Sequence, residues 1–309
     1  VAAGKTATIE SVIGGDAAFM ISGGGSYATD ATMGKVYLKG DNDFTGVLIV
    51  SNVWIYPQHD HAFGSSEAKT VLASSSATFG KTKKYETRVF FGGGICVGEE
   101  FDVRNAGAQN ANSSGVLFDF TSGSNSVASV GSTTGNLCMN FAANTETHLG
   151  SFNPGAYSPL VGNSTSVVYF DGPWRNQRLG DVTTGVYVFS GHVHAFSDRA
   201  PLSSCAFCPG GSTTLRAGTA NILSTDGTDE RMLVNAKPSV NGDAWLRMTD
   251  SPSAVFDLNG YDQLALGIAG PNKNPEKAAG GVITSDTPAL LRLHNTTPTV
   301  AYPSADVGT

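Results

Sequence analysis

Glu100, Asp102 and Arg104, in the stretch GEEFDVRN, alternate with Phe101 and Val103. Alternate residues of an extended chain share one face, so two carboxylates and a guanidinium would stand together on the outside of a strand. A pair of carboxylates is the machinery of glycoside hydrolysis, and a nearby cation suits an acidic polysaccharide. Glu99 precedes this group, and Asp226, Asp229 and Glu230 form a second acidic group in TDGTDERM. His192 and His194 share a strand face around Val193, and Cys205 and Cys208 follow in SCAFCPGG. These four are donors of the type and spacing that bind zinc. The competing reading of Cys205 and Cys208, in a Gly/Pro-rich loop, is a local disulfide in an oxidising compartment, and this is the expectation adopted. A thioredoxin-like redox site would need a strand-to-helix setting, and no helix is apparent. His59-Asp60-His61 reads as an exposed polar loop. Carboxylates without partners usually serve to solvate a strand face, and the two acidic groups lie far apart in the chain. The expectation is therefore no catalytic residue, no cofactor and no metal. Glu100, Asp102 and Arg104 are the runner-up catalytic set, and His192, His194, Cys205 and Cys208 the runner-up metal ligands.

The elements that must carry these residues are short strands. The chain has 309 residues, enough for a large core, with 15% charged and 40% hydrophobic residues and 38 glycines. Segments of three to seven apolar or alternating residues recur, each ended by Gly or Asn/Asp, as in KVYLKGDN, GVLIVSN, TRVFFGGG, GVLFDFTSG, NLCMNFAAN and SVVYFDG. Helical periodicity is almost absent. Cys96 and Cys138 fall inside apolar runs and read as small core residues. The net charge of −7 argues against nucleic acid as a partner. No apolar run of about 20 residues offers a membrane-spanning helix. The only basic run, Lys81, Lys83, Lys84 and Arg88, reads as a solvated loop or a charged strand edge. Tyr56, Trp174, Tyr261 and Tyr302 are loose candidates for contact with a neutral glycan.

Internal repetition narrows the architecture. TGVLIVSNVWIYPQHDHAFGSS from Thr45 and TGVYVFSGHVHAFSDRAPLSS from Thr184 run in step, and the strands before them, Val36–Gly40 and Val168–Gly172, also match. A stack in which each turn of the chain buries its face on the next needs similar corners at similar places. Strands are expected at 36–38, 47–50, 53–55, 167–170, 185–189, 256–258 and 290–293. Their expected core residues are Val36, Leu38, Leu48, Val50, Val168, Phe170, Val186, Val188, Phe256, Leu258, Leu291 and Leu293. Phe44 should tuck inward, and Asn52, Asn259 and Asn295 should satisfy corner backbone groups.

Leu38-Lys39-Gly40, Asn42-Asp43-Phe44-Thr45-Gly46, the strand 47–50, Ser51-Asn52, the strand 53–55 and Phe63-Gly64 together resemble the passenger-associated repeat of bacterial autotransporters. The stretch Ala254–Leu293 looks like a further copy. The match departs from the family at Gly46-Val47-Leu48, Ser51–Trp54 and Phe63. The resemblance implies an all-β, right-handed parallel β-helix (a β-solenoid), secreted or displayed on a bacterial cell surface, with no catalytic residues. The whole of 1–309 is expected as one such domain with irregular loop insertions, a processed piece of a longer protein. Its expected role is non-enzymatic: structural, adhesive or assembling. Its expected partners are other copies or neighbouring solenoid segments at open ends, and neutral glycans. The alternative is a carbohydrate-active β-helix, a polysaccharide lyase or glycosidase.

Overall fold

A computed structural model describes residues 1–24, 32–74, 87–105, 116–134, 137–153, 160–172, 182–190, 210–222, 246–247, 253–265, 268–269 and 281–293. Among these residues there are strands and corners and no helix. The chain divides into two compact units, Val1–Val161 and Gly162–Thr309.

The first unit contains β1 (Thr6–Ile9), β2 (Phe19–Ser22), β3 (Lys35–Leu38), β4 (Val47–Ser51), β5 (Trp54–Pro57), β6 (Lys69–Ser74), β7 (Thr87–Phe91), β8 (Cys96–Asn105), β9 (Val116–Phe120), β10 (Ser124–Thr134), β11 (Leu137–Phe141), β12 (Glu146–Asn153) and β13 (Leu160–Val161). Every pairing is parallel and skips one strand. The odd strands β1 to β13 form one ladder, and the even strands β2 to β12 form another. Consecutive strands thus belong to different ladders, a solenoid-like arrangement. It excludes a meander of 36–38 on 47–50, because β3 pairs with β1 and β5 and not with β4.

In-register stacking builds the core column by column. In the odd ladder Val36 stands on Ile55, Ile55 on Val89, Val89 on Phe118, Phe118 on Met139 and Met139 on Leu160. Beside this column Phe91, Phe120 and Phe141 stack with centroids 4.7 and 5.1 Å apart, close to the spacing of neighbouring strands. In the even ladder Leu48, Thr70, Phe101, Val130 and Phe152 form a column. Phe101 of the even ladder meets Phe118 of the odd one edge to face at 5.1 Å, and Phe63 meets Phe101 at 5.0 Å. The two ladders therefore share one interior, and all these side chains are buried.

Corners are closed by amides and glycines. Asn42, buried, accepts the Ile13 N–H at 2.9 Å and donates to the Ala62 carbonyl at 2.9 Å, joining the corner below to the corner above. Phe44 is buried as expected. Gly46 lies where a Cβ would run into the Ala17 carbonyl, and Gly64 holds φ +110° against Phe44, a conformation only glycine adopts cheaply.

The second unit contains β14 (Val167–Phe170), β15 (Val182–Phe189), β16 (Gly210–Ala217), β17 (Leu246–Arg247), β18 (Val255–Asp257), β19 (Gln263–Ala265), β20 (Ile268–Ala269), β21 (Val282–Thr284) and β22 (Leu291–Leu293). Here β14, β15, β16, β18 and β21 stack in parallel, as do β17 with β20 and β19 with β22. Asn259 donates to the Ala217 carbonyl at 3.0 Å. Gln263, buried, accepts the Ile222 N–H at 3.0 Å and donates to the Thr219 carbonyl at 2.9 Å. Asn52 takes a corner conformation with φ 55°, and Asn295 lies outside the described residues.

Three expectations about side-chain direction need correction. Val186 is only half-buried, while Tyr187 and Phe189 fill the interior on Val168 and Phe170. The cause is an irregularity at Thr184 (φ 51°) and Gly185 (φ +111°), which resets the alternation. Leu291 is half-buried, in a three-residue strand paired on one side among the described residues. Cys96 is exposed because Ile95 and Val97 take the inward positions; Cys138 is buried as expected.

Thr70 sits in the interior column with a buried hydroxyl that has no hydrogen-bond partner. A buried unpaired hydroxyl costs about 1–3 kcal/mol, so Thr70→Val, a near-isostere, is expected to raise unfolding free energy by about 1 kcal/mol. Phe101→Ala in the same column is expected to lower it by about 3–5 kcal/mol. Chemical denaturation of both variants checks the pair, and a destabilised Thr70→Val would contradict this account of the column.

Candidate functional site

The outward face of β6 and β8 gathers the runner-up acids. Register places Lys69 opposite Glu100, Val71 opposite Asp102 and Ala73 opposite Arg104. Lys69 Nζ lies 2.9 Å from Glu100 Oε1 and 3.7 Å from Asp102 Oδ2. Arg104 Nε donates to Asp102 Oδ2 at 2.9 Å, and a second guanidinium nitrogen lies 2.8 Å from the same oxygen. Glu100, Asp102 and Arg104 do share a face. Asp102, however, is buried there: its side chain is 3% exposed, set between Val71 and Gly131 and flanked by both cations. Two acids and two bases thus neutralise one another. A general acid must carry a proton, and a general base needs an oxygen within reach of the substrate. Asp102 Oδ2 instead receives two contacts from Arg104 and faces Lys69.

The same arrangement recurs along the molecule. Glu10 receives Lys39 at 3.0 Å, Asp119 receives Arg88, and Asp257 receives Arg216 at 2.8 Å. Each pair joins one layer of strands to the next. Arg88, which the sequence groups with a basic run, also lies over the rings of Trp54 and Phe90, 5.2 and 4.2 Å from their centroids. Lys81, Lys83 and Lys84 lie outside the described residues.

An aromatic ladder runs up the outer face of the odd strands. Tyr37 stacks on Tyr56 at 4.7 Å and 17°, and Tyr56 stacks on Phe90 at 4.5 Å and 5°. Both faces of Tyr56 are therefore covered. A sugar bound through ring-face contact would find only its edge and hydroxyl. Tyr261 is exposed at a corner; Trp174 and Tyr302 lie outside the described residues. So do His192, His194, Cys205, Cys208, Asp226, Asp229 and Glu230.

Two features were not drawn from the sequence. Glu99 points inward, with both carboxyl oxygens buried. It is the extra residue of an irregularity: Val97 and Phe101 pair with Val127 and Val130, so Glu99 has no inward counterpart on β10. Counting alternate residues from Val97 to Phe101 would have found it. The second feature is Asp41, which the stacking of corners brings to His59 and His61. That meeting has no local signal, because it depends on β5 lying in register over β3. The His61 hydrogen bond holds the Asp41 carboxyl below its usual range.

Comparison of the chain with protein-family models, with curated proteins and with solved structures finds no match.

Burial pushes the Glu99 carboxyl from an ordinary 4.5 up to about 8, which keeps it protonated and neutral near pH 7. The folded state binds a proton that the unfolded state releases between these values. Stability from this group is therefore complete below pH 4.5 and lost as pH rises through about 8. Between about pH 5 and about pH 8.5 the parent is expected to lose on the order of 3–5 kcal/mol that Glu99→Gln does not lose. Urea midpoints of the two proteins across that range check the difference, and parallel curves would refute it.

Proposed function

We propose that this chain is a non-enzymatic β-solenoid, a right-handed parallel β-helix that works as a structural, adhesive or assembling element outside the cell or on a bacterial surface. The observation that carries the reading is the use of charge: Lys39–Glu10, Lys69–Glu100, Arg88–Asp119 and Arg216–Asp257 each tie one layer to the next. An enzyme for acidic polysaccharides would instead concentrate cations in a groove to hold the substrate and leave a base facing it.

The autotransporter-like repeat belongs to the same reading. Each motif position has a structural task. Leu38, Phe44 and Phe63 are buried, Gly40 and Gly46 lie against backbone of the preceding corner, and Asn42 clamps three corners together. A sequence constrained at these positions specifies a stack rather than a reaction. Among the described residues β1 and β2 are each paired with one strand, β3 and β4. Strand edges can receive another strand, which is how we read assembly with further copies or neighbouring solenoid segments. Neutral glycans remain ligands to be tested on the outer faces.

Incubation with pectin, alginate and neutral polysaccharides is expected to release neither unsaturated nor reducing ends; binding on a glycan array without product fits the reading. Release of either kind of end, abolished by Glu100→Gln or Asp102→Asn with the fold intact by circular dichroism, would replace this reading with the carbohydrate-active one.

A further inference from the structure

The corner that joins β3 to β4 lies beneath the corner that joins β5 to β6. Leu38 is in register with Pro57, and the Gln58 N–H donates to the Leu38 carbonyl at 2.8 Å. This stacking places Asp41 Oδ1 2.7 Å from His61 Nδ1 and 3.5 Å from His59 Nδ1. One donor atom from each of the three residues lies within 4.8 Å of the others. We propose that Asp41, His59 and His61 form a binding site for a divalent transition-metal ion, with a two-nitrogen, one-oxygen donor set at a solvent-facing corner.

The donor chemistry suits zinc, nickel or cobalt, which favour imidazole over all-oxygen sites. Zinc bonds of about 2.0–2.2 Å in a tetrahedron separate neighbouring ligand atoms by roughly 3.3–3.5 Å. The observed 2.7 and 3.5 Å bracket that separation, and all three side chains are at least a third exposed, so small rotations bring them to it. The hydrogen bonds also fit. His61 donates its backbone N–H to His59 Nδ1 at 3.2 Å, so Nδ1 is the unprotonated nitrogen and the neutral ring's proton sits on Nε2; a cation at Nδ1 would take the lone pair that this hydrogen bond uses and displace it. His61 Nδ1 faces the Asp41 carboxylate as a donor, and a cation entering there would take the place of that proton.

The backbone around the three ligands is held independently of them. Asn42 and Ala62, the chain neighbours of Asp41 and His61, are joined by the buried hydrogen bond from Asn42 to the Ala62 carbonyl. Turns close from Ala62 N–H to the His59 carbonyl at 3.1 Å and from Gly64 N–H to the His61 carbonyl at 3.0 Å. Asp60, between the histidines, accepts the Cys96 N–H at 2.8 Å from a later strand. Ligands carried on backbone fixed in this way lose little freedom when a metal binds.

The test is titration of the metal-stripped full chain with zinc chloride, followed by calorimetry, and with cobalt chloride, followed by absorption. The expected result is one saturable zinc equivalent whose affinity falls about tenfold or more in each of Asp41→Asn, His59→Ala and His61→Ala. The parent's melting temperature should rise with zinc and those of the variants should not. The cobalt complex should show visible bands without a thiolate charge-transfer band. Absence of saturable binding up to about 100 µM zinc would overturn the proposal, as would undiminished affinity in all three variants. A cobalt complex with a thiolate band that persists in His61→Ala would overturn it too, by moving the metal to cysteine.

Discussion

Parallel pairing of each strand with the strand two further along fixes nearly everything else in the described structure of the first unit. Once Lys35 faces Trp54 and Trp54 faces Arg88, every neighbour on those strands is assigned a partner about 4.7–4.9 Å above it. Apolar residues then form continuous inner columns, and outer residues form columns of their own. A single slip in register would send the inner set outward, so the corners must return the chain to the same height each time. Asn42 does this by binding the layers on both sides of its own, and the glycines do it by letting backbone approach backbone where a Cβ would intrude.

Columns explain why outer residues keep company with their own kind or with their opposites. Rings stack on rings, as in Tyr37, Tyr56 and Phe90, because parallel register puts like positions face to face. Acids meet bases, as in Lys69 with Glu100 and Arg216 with Asp257, because like charges at strand spacing would repel. Exposed pairs of this type add little stability individually. Their consequence here is chemical: groups that look reactive in a linear sequence are engaged by a neighbouring layer. Glu99 shows the opposite case. An irregularity between β8 and β10 leaves one inward position without a counterpart, and a carboxyl fills it in the neutral form.

The amino-acid sequence by itself determined that the chain is built of short strands and tight corners, and it marked most of them. Alternation of apolar residues is local, and so is the demand of a corner for Gly or Asn, so β3, β4, β14 and the inward turn of Phe44 were legible without any partner. The grouping of Glu100, Asp102 and Arg104 on one face was legible for the same reason. Only the tertiary structure decided that Lys69 and Arg104 enclose Asp102, that Tyr187 and Phe189 rather than Val186 face the interior, and that Asp41 meets His59 and His61. Each of those outcomes rests on a register between segments far apart in the chain, or on one extra residue in a strand. Corner lengths and strand irregularities set that register, and their effect exists only once the layers are stacked.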